Sequence, residues 1–502
     1  MLTVLMLLSV GLEWMIYVGP GLWPVRRYAI GVPLFLTAFG TSAFVIEQWQ
    51  FGPSLLIPLL VVALFRVINH LRIAEGRMHE AYLRRTTRRT GFFLGVLQLL
   101  LILAWNLVEL GIVQVLPYLA GAQVAVAAGV LLITVRNIVK SKHRPVLEKY
   151  ADKELPTVTV AIPARNETAE LEDCLRSILA NNYPKFEVLV LDDCSHDRTP
   201  DIIKQFAQQG VRFTKGAEPT GRWLAKNQAY DKLADEANGE ILLFCGVDVR
   251  FGPETIRALV TTMQSRKKDM ISVLPRRLSS DVAAAFVQPL RYWWELALPR
   301  RYFNRPSVLS TCWMIRRKVL KKLGGFEAVQ HAILPEGYFA REAVKSDAYS
   351  FVRADDVLDV QTRKGLPEQR ETAIRMRYPQ LRRRLEWVML LAGAEILFLA
   401  VPFGIALSTF WAGFGLIQAA AAATCLLLIL THVAIVQVSN PANVLVAAFN
   451  LPVVIVTELF LGLASMYKYE FSTVEWKGRN ICTPVMHVIP KLPNIDHQSD
   501  TK

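Results

Sequence analysis

Between residues 140 and 385 the chain has no apolar run long enough to cross a bilayer, although 52% of all its residues are hydrophobic. A crossing takes about 20 residues, so this gap excludes a protein made only of membrane helices. The runs that flank it exclude a purely soluble one. Six cysteines (Cys174, Cys194, Cys245, Cys312, Cys425 and Cys482) form no CxxC pair and show no metal-like spacing with histidine. They read as reduced thiols, cytosolic or membrane-buried. No internal repeat appears, and no low-complexity segment beyond the alanines of 419–423. No basic stretch precedes the first apolar run as a secretory signal would require, so that run reads as a span and not as a cleaved leader. The net charge of +14 is accompanied by no nucleic-acid motif. Much of it lies beside the apolar runs and within 257–322, which points to a membrane surface as partner.

What the chain does contain is two groups of apolar runs. Five lie near 2–19, 29–47, 54–72, 92–117 and 120–138, and three near 386–406, 412–437 and 443–467. The expected organisation is a transmembrane region over 1–139, a cytoplasmic domain with interfacial helices over 140–385, a second transmembrane region of two or three spans over 386–467, and a tail over 468–502. Arg26, Arg27, Arg72, Arg77, Arg84, Arg85, Arg88 and Arg89 fall in loops on one side, whereas the loop 48–53 carries no basic residue. Basic loops stay inside. The N-terminus is therefore expected outside, with Lys140, Lys142, His143 and Arg144 delivered to an anionic cytoplasmic lipid surface. Three crossings after 385 would put the tail outside, but Lys468, Lys477 and Arg479 argue for inside. Either one segment is re-entrant or interfacial, or the charge rule fails. Glu109 and Glu395 within the runs are expected to face protein or a polar cavity.

From residue 157 short β-branched runs alternate with amphipathic helical patterns, as in a parallel α/β sheet. TVTVAI (157–162) and FEVLVL (186–191) read as strands, with Leu171, Cys174, Leu175, Ile178 and Leu179 at helical spacing between them. Thr199 and Pro200 open a helix. VRFT, a helix near 223–237, EILLF and a helix after Pro253 continue the alternation. Ligands of such sheets bind beyond the carboxyl ends of the strands. Asp192, Asp193 and Asp248 fall there. Any one of them would suit a turn or a helix start; several acids at one edge point to a ligand.

These residues resemble family 2 glycosyltransferases with the GT-A nucleotide-binding fold, over about 155–380. The resemblance rests on 161-AIPARNE-167, 189-LVLDDCSHDRT-199, 221-GRWLAKNQAY-230, 239-GEILLFCGVDV-249, 324-GGFE-327 and 333-ILPEGYFAREA-343. In addition, 474-VEWKGRN-480 is similar to a signature of membrane-bound relatives that glycosylate lipids. The resemblance implies a GT-A-like α/β domain inserted between N- and C-terminal transmembrane helices. It also implies an integral protein of the bacterial cytoplasmic membrane. For the nucleotide sugar it implies Pro163, Arg165, Glu167, Asp192, Asp193, Arg222 and Asn227, with an aspartate of the pair accepting the uracil N–H. For Mg²⁺ or Mn²⁺ it implies Asp248.

Three positions depart from the family pattern. Gly246 stands where a second metal-binding acid is usual, which leaves Asp248 alone; magnesium commonly takes only one or two carboxylates and completes its shell with phosphate and water. Gly337 stands where the catalytic base is usual, so Glu336 is the expected base, with Asp347 as the next candidate. In 374-IRMRY-378 the acceptor motif of processive relatives keeps Arg377 but has Ile374 for its glutamine. The stretch 286–303 reads either as an interfacial helix or as a core helix beneath the acceptor cleft. The expected function is inverting transfer from a UDP-sugar to a lipid-linked or membrane-associated hydroxyl at the cytoplasmic face. The alternatives are a processive polysaccharide synthase and a non-catalytic nucleotide-sugar-binding membrane protein.

Overall fold

The computed structural model describes residues 2–18, 25–48, 53–75, 81–109, 115–143, 150–220, 223–278, 290, 292–298, 306–381 and 383–481. Five helices come first: α1 (Leu2–Val18), α2 (Gly31–Gln48), α3 (Pro53–Ala74), α4 (Ala81–Glu109) and α5 (Val115–Lys140). The domain follows. Its strands are β1 (Val158–Ala164), β2 (Phe186–Asp192), β3 (Val211–Lys215), β4 (Ile241–Cys245), β5 (Val249–Phe251), β6 (Met270–Leu274), β7 (Arg276–Leu278), β8 (Cys312–Arg316), β9 (Tyr349–Arg353) and β10 (Val360–Arg363). The helices among them are α6 (Leu171–Leu179), α7 (Thr199–Gln205), α8 (Ala225–Glu236), α9 (Thr255–Ser265), α10 (Pro335–Lys345) and α11 (Leu366–Gln380). After the domain come α12 (Leu385–Glu395), which runs through a π-helical turn at Ile396–Ala400 into Val401–Leu407, then α13 (Leu416–Ser439) and α14 (Val444–Phe471). A hairpin of β11 (Glu475–Trp476) and β12 (Arg479–Asn480) closes the described chain.

The main sheet has seven strands in the order β3-β2-β1-β4-β8-β6-β9, with β5-β10-β7 forming a small second sheet. β3, β2, β1 and β4 run parallel, and β8 is antiparallel to both of its neighbours. The mixed direction follows from β8 entering between β4 and β6. Side chains alternate between the two faces of a strand. Val160, Ile162, Leu243 and Cys245 pack with Leu175, Ile178 and Leu259 on one face, while Ala161, Leu242 and Phe244 pack with Tyr230, Leu233 and Phe339 on the other. Helices cover both faces, which is why the central strands read as nearly continuous apolar runs.

Seven helical stretches among the described residues are long and apolar enough to cross a membrane, and α1 is a shorter apolar helix. Phe35, Phe39, Ile46, Leu132, Phe449 and Phe460 lie exposed on them. So much outward-facing apolar surface fits a lipid environment. Glu13, the acid that interrupts α1, is buried against Arg66 at 2.5 Å and His70 at 3.1 Å. Arg66 also donates to Ser9 Oγ at 2.9 Å and Gln98 Oε1 at 2.5 Å, so the charges inside the bundle are paired.

The last long apolar helix, α14, is bonded to the domain. Glu458 pairs with Arg377 of α11 at 2.6 Å and accepts the Leu290 N–H at 3.1 Å. Ser465 Oγ accepts the Tyr378 N–H at 3.0 Å, and the Tyr469 hydroxyl donates to Arg375 O at 2.9 Å. The C-terminal half of α14 is thus bonded to the domain, while Leu445, Phe449, Val456 and Phe460 face outward. In the stretch 286–303, the described residues Tyr292, Trp293 and Leu296 are buried with Leu274, Leu428 and Val454 between the sheet domain and the apolar helices. That is the core arrangement, and Trp293 Nε1 donates to His432 Nδ1 of α13 at 3.1 Å.

Candidate active site

The loops after β1 and β2 interlock at the carboxyl edge of the sheet. The Asn166 N–H donates to Ser195 Oγ at 3.0 Å, the Glu167 N–H to Thr199 Oγ1 at 2.9 Å, and the His196 N–H to Asn166 Oδ1 at 3.0 Å. Thr199 therefore uses its hydroxyl to tie two loops together; no side chain caps α7. Pro163 pairs with Leu191 across the strands and sets the register that brings Asp192 and Asp193 beside this turn. Asp192 Oδ1 accepts the Ser195 N–H at 3.2 Å. Gly216 passes so close that an added Cβ would stand 2.5 Å from Asp192 O, which only glycine permits. Asp193 is buried and pairs with Arg479 at 2.6 Å. Burial pushes its carboxyl above the usual range, against the pull of Arg479. Burial likewise raises Glu167, against Lys477 at 3.2 Å.

Asp248 sits in the turn from β4 to β5. Antiparallel pairing sets Thr362 of β10 opposite Val249, and this brings Lys364 Nζ to 3.2 Å from Asp248 Oδ2. A Cβ at Gly246 would stand 2.5 Å from Asp248 Oδ1, the end of a side chain that can swing aside. The aspartate carboxylate fills the space that a side chain at 246 would need. Among the described residues no group of three or more His, Cys, Asp or Glu side chains gathers as a metal cage. A hard divalent ion fits at Asp248 only with one protein carboxylate, its remaining oxygen ligands coming from phosphate and water. It would also have to displace the Lys364 ammonium.

Glu336 opens α10 just after Pro335 and is fully buried. α10 is fixed by an aromatic cluster in which Phe326, from the Gly-Gly-Phe segment, stands 5.4 Å from Phe339 and 5.4 Å from Phe244. Gly337 has no atom closer than 3.8 Å to an added Cβ, so the missing aspartate is not excluded by crowding. Lys226, in the first turn of α8, was not singled out by sequence and belongs to this group. Burial lowers its ammonium to about 8, and Glu336 is the strongest charge opposing that shift, with Asp248 also attracting and Arg375 and Lys364 repelling. The Lys226 ammonium is thus within electrostatic reach of two carboxylates and two further cations, which marks the candidate crevice.

Several expected site residues serve elsewhere. Arg377 points away from the crevice because residues two apart on a helix face about 200° from one another. Its partner is Glu458, whereas Arg375 reaches Lys226 electrostatically and covers Trp476 at 5.3 Å. Arg377, Glu458, Glu395, Trp294 and Val388 line a separate small cavity between α11, α12 and α14. Asn227 donates its amide to Val329 O at 2.9 Å, Gln330 O at 3.2 Å and Ala332 O at 2.8 Å, and so clamps a loop instead of facing a ligand. The Arg165 guanidinium is committed to Asp193 O at 2.6 Å, Cys194 O at 2.9 Å and Lys477 O at 3.0 Å. Asp347 is exposed and paired with Lys268 at 2.9 Å, on the far side of α10 from its first turn. Arg222 lies outside the described residues. Lys226 had a signal in sequence, since it stands four residues after Arg222 in the quoted segment. Lys364 had none, because only the β5–β10 pairing brings it to Asp248.

Residues 159–324 match the family model described as Glycosyl transferase family 2. This is a family 2 glycosyltransferase domain. The glycosyltransferase domain is 28% identical over 187 residues to the protein named "Probable glycosyltransferase YdaM" of Bacillus subtilis, a match covering 35% of this chain and 44% of that protein. It is 26% identical over 131 residues to the beta-monoglucosyldiacylglycerol synthase of Trichormus variabilis, covering 25% of this chain and 27% of that protein. The solved mannosyltransferase PcManGT of Pyrobaculum calidifontis, in complex with GDP-Man and Mn²⁺, aligns with 19% identity and a TM-score of 0.44 over 66% of this chain and 97% of its own. The chain covers less than half the length of these curated relatives. The glycosyltransferase domain is carried between two groups of long apolar helices.

Proposed function

We propose that the chain transfers a sugar, with inversion, from a UDP-sugar to the hydroxyl of a lipid-linked or membrane-associated acceptor, on the cytoplasmic face of the membrane. The observation that carries this reading is a run of acids and cations along one edge of the sheet: Asp193 held by Arg479, Glu167 by Lys477, and Asp248 within electrostatic reach of Glu167, Lys226 and Lys364, with Glu336 acting on the same lysine, in a domain whose α11 is bonded to the apolar helix α14. Asp192 and Asp193 receive the uracil ring and Glu167 lines the wall beside them. Lys226 and Lys364 offset the charge of the departing diphosphate. A divalent ion held by Asp248 would add to that offset. Glu336 takes the proton from the acceptor hydroxyl as its oxygen attacks the anomeric carbon and the bond to the diphosphate breaks. The lipid substrate named for the Trichormus relative supports an acceptor of this class.

The test is incubation of membranes containing the protein with a panel of labelled nucleotide sugars, followed by lipid extraction and mass measurement. A singly glycosylated lipid is expected. A long polymer would favour a processive synthase. Donor binding without any labelled product would favour a non-catalytic nucleotide-sugar-binding protein, the reading that Gly337 supports.

A further inference from the structure

The Trp-Lys-Gly-Arg segment of the tail is used nowhere in the mechanism above, yet it sits on the donor wall. Its two-residue loop, Lys477-Gly478, has φ of 49° and 77°, the paired left-handed conformation of a tight hairpin. Lysine is held in that conformation by three bonds. Lys477 Nζ pairs with Glu167 at 3.2 Å and donates to Asn166 O at 3.1 Å, and Lys477 O accepts from Arg165. Arg479 forks between two carboxylates, Asp193 Oδ2 at 2.6 Å and Glu218 Oε1 at 2.9 Å. Trp476 lies against Arg375, the residue of α11 that faces the crevice. The hairpin thus touches the segments that follow β1, β2 and β3, along the edge where a nucleotide would lie. A carboxylate has about four acceptor positions, so Asp193 can hold Arg479 through one oxygen and offer the other to a base N–H.

We propose that this hairpin is a built-in wall of the donor site and that Arg479 is a positioning residue for the nucleotide base, acting by holding the Asp193 carboxylate. The inference rests on the donor-site reading above. Without Arg479 the Asp193 side chain is free to rotate and to lose its proton-accepting form in its buried setting. The fork also explains why arginine stands there and not lysine: a planar guanidinium bridges two carboxylates at fixed geometry, which a point charge does not.

The test measures UDP and GDP affinity of the full chain in detergent by titration calorimetry. R479M keeps the stem and removes the charge; R479K keeps the charge and loses the fork. R479M is expected to weaken nucleotide binding by about 10- to 100-fold, the scale of an orphaned charge-assisted contact, and R479K to recover part of it. On a D193N background R479M is expected to have little further effect. Binding by R479M equal to or tighter than wild type overturns the proposal, the tighter case marking the hairpin as a resting cover. It is also overturned if R479K does no better than R479M, or if the R479M effect is undiminished on D193N. Wild-type protein that binds neither nucleotide overturns the donor-site reading itself, a result distinct from all of these.

Discussion

The charge balance between Glu336 and Lys226 gives the sharpest test of the transfer site. Replacing Glu336 with glutamine removes the expected base and should lower transfer by about 10²- to 10⁴-fold. At 1.36 kcal/mol per tenfold this is about 2.7–5.4 kcal/mol of barrier. The same substitution reaches Lys226. Burial has already lowered that lysine to about 8, and Glu336 is the largest influence working to keep its proton on. A lysine is charged below its pKa, so in the wild type the ammonium is present below about pH 8 and lost above it. The profile of kcat/KM reports groups of the free enzyme, and its basic limb is expected near that value. With Glu336 neutral the burial penalty stands unopposed, and the limb moves to lower pH. Donor binding measured well below pH 8 should change little, since the base contacts lie at Asp192 and Asp193. The assay is initial-rate labelling of extracted lipid across pH, for wild type and Glu336→Gln. A basic limb at the same pH in both proteins would refute the coupling, and a rate within tenfold of wild type would place the base elsewhere.

Other outcomes follow from the same geometry. Asp248→Asn should abolish metal-dependent turnover with the fold intact; turnover with unchanged dependence on Mg²⁺ or Mn²⁺ removes Asp248 from that role. Gly246→Asp restores the usual acid once the Asp248 carboxylate, 2.5 Å from the new Cβ, swings aside, so metal titration should show tighter affinity, and the same or weaker affinity would refute the account of the lone carboxylate. Asn227→Ala leaves three loop carbonyls without their donor and should destabilise the protein by about 1–3 kcal/mol in thermal or denaturant unfolding; a stable variant that instead fails to bind nucleotide would return Asn227 to the ligand. Cysteines placed at Tyr150 and at Lys477 should be equally shielded from an impermeant thiol reagent in intact cells, because the hairpin rests on the domain; labelling of one alone contradicts the docking of the tail.

The alternation of the domain was legible because each central strand is buried on both faces. Runs such as 188–191 and 241–245 have no polar interruption. Asp192, Asp193 and Asp248 were legible as strand-end acids. Side-chain direction within helices was not. Arg375 and Arg377 are equivalent in composition, and only the packing of α11 on α14 turns one to the crevice and the other to Glu458. Lys364 and Arg479 reach the site through contacts spanning much of the chain, which no local pattern records. The docking of α14 was hidden for a related reason: its mean hydropathy matches a spanning helix, and no local pattern shows that Glu458, Ser465 and Tyr469 find partners on α11. Gly246 read as a lost ligand, and the structure shows it as the space into which Asp248 folds.

Arg165 has a consequence for how the protein is made. Its guanidinium gathers carbonyls from Asp193, Cys194 and Lys477, the last lying 312 positions further along the chain. Domains fold largely as units while synthesis proceeds from the N-terminus. The sheet and both of its cores are complete by about residue 360, but α12, α13 and α14 must still take their places before Lys477 emerges from the ribosome. During that interval Arg165 and Asp193 wait beside each other without their final partner. The donor wall is finished only when the membrane helices after the domain have been placed, so a chain that fails in membrane assembly also fails to present a finished pocket to soluble nucleotide.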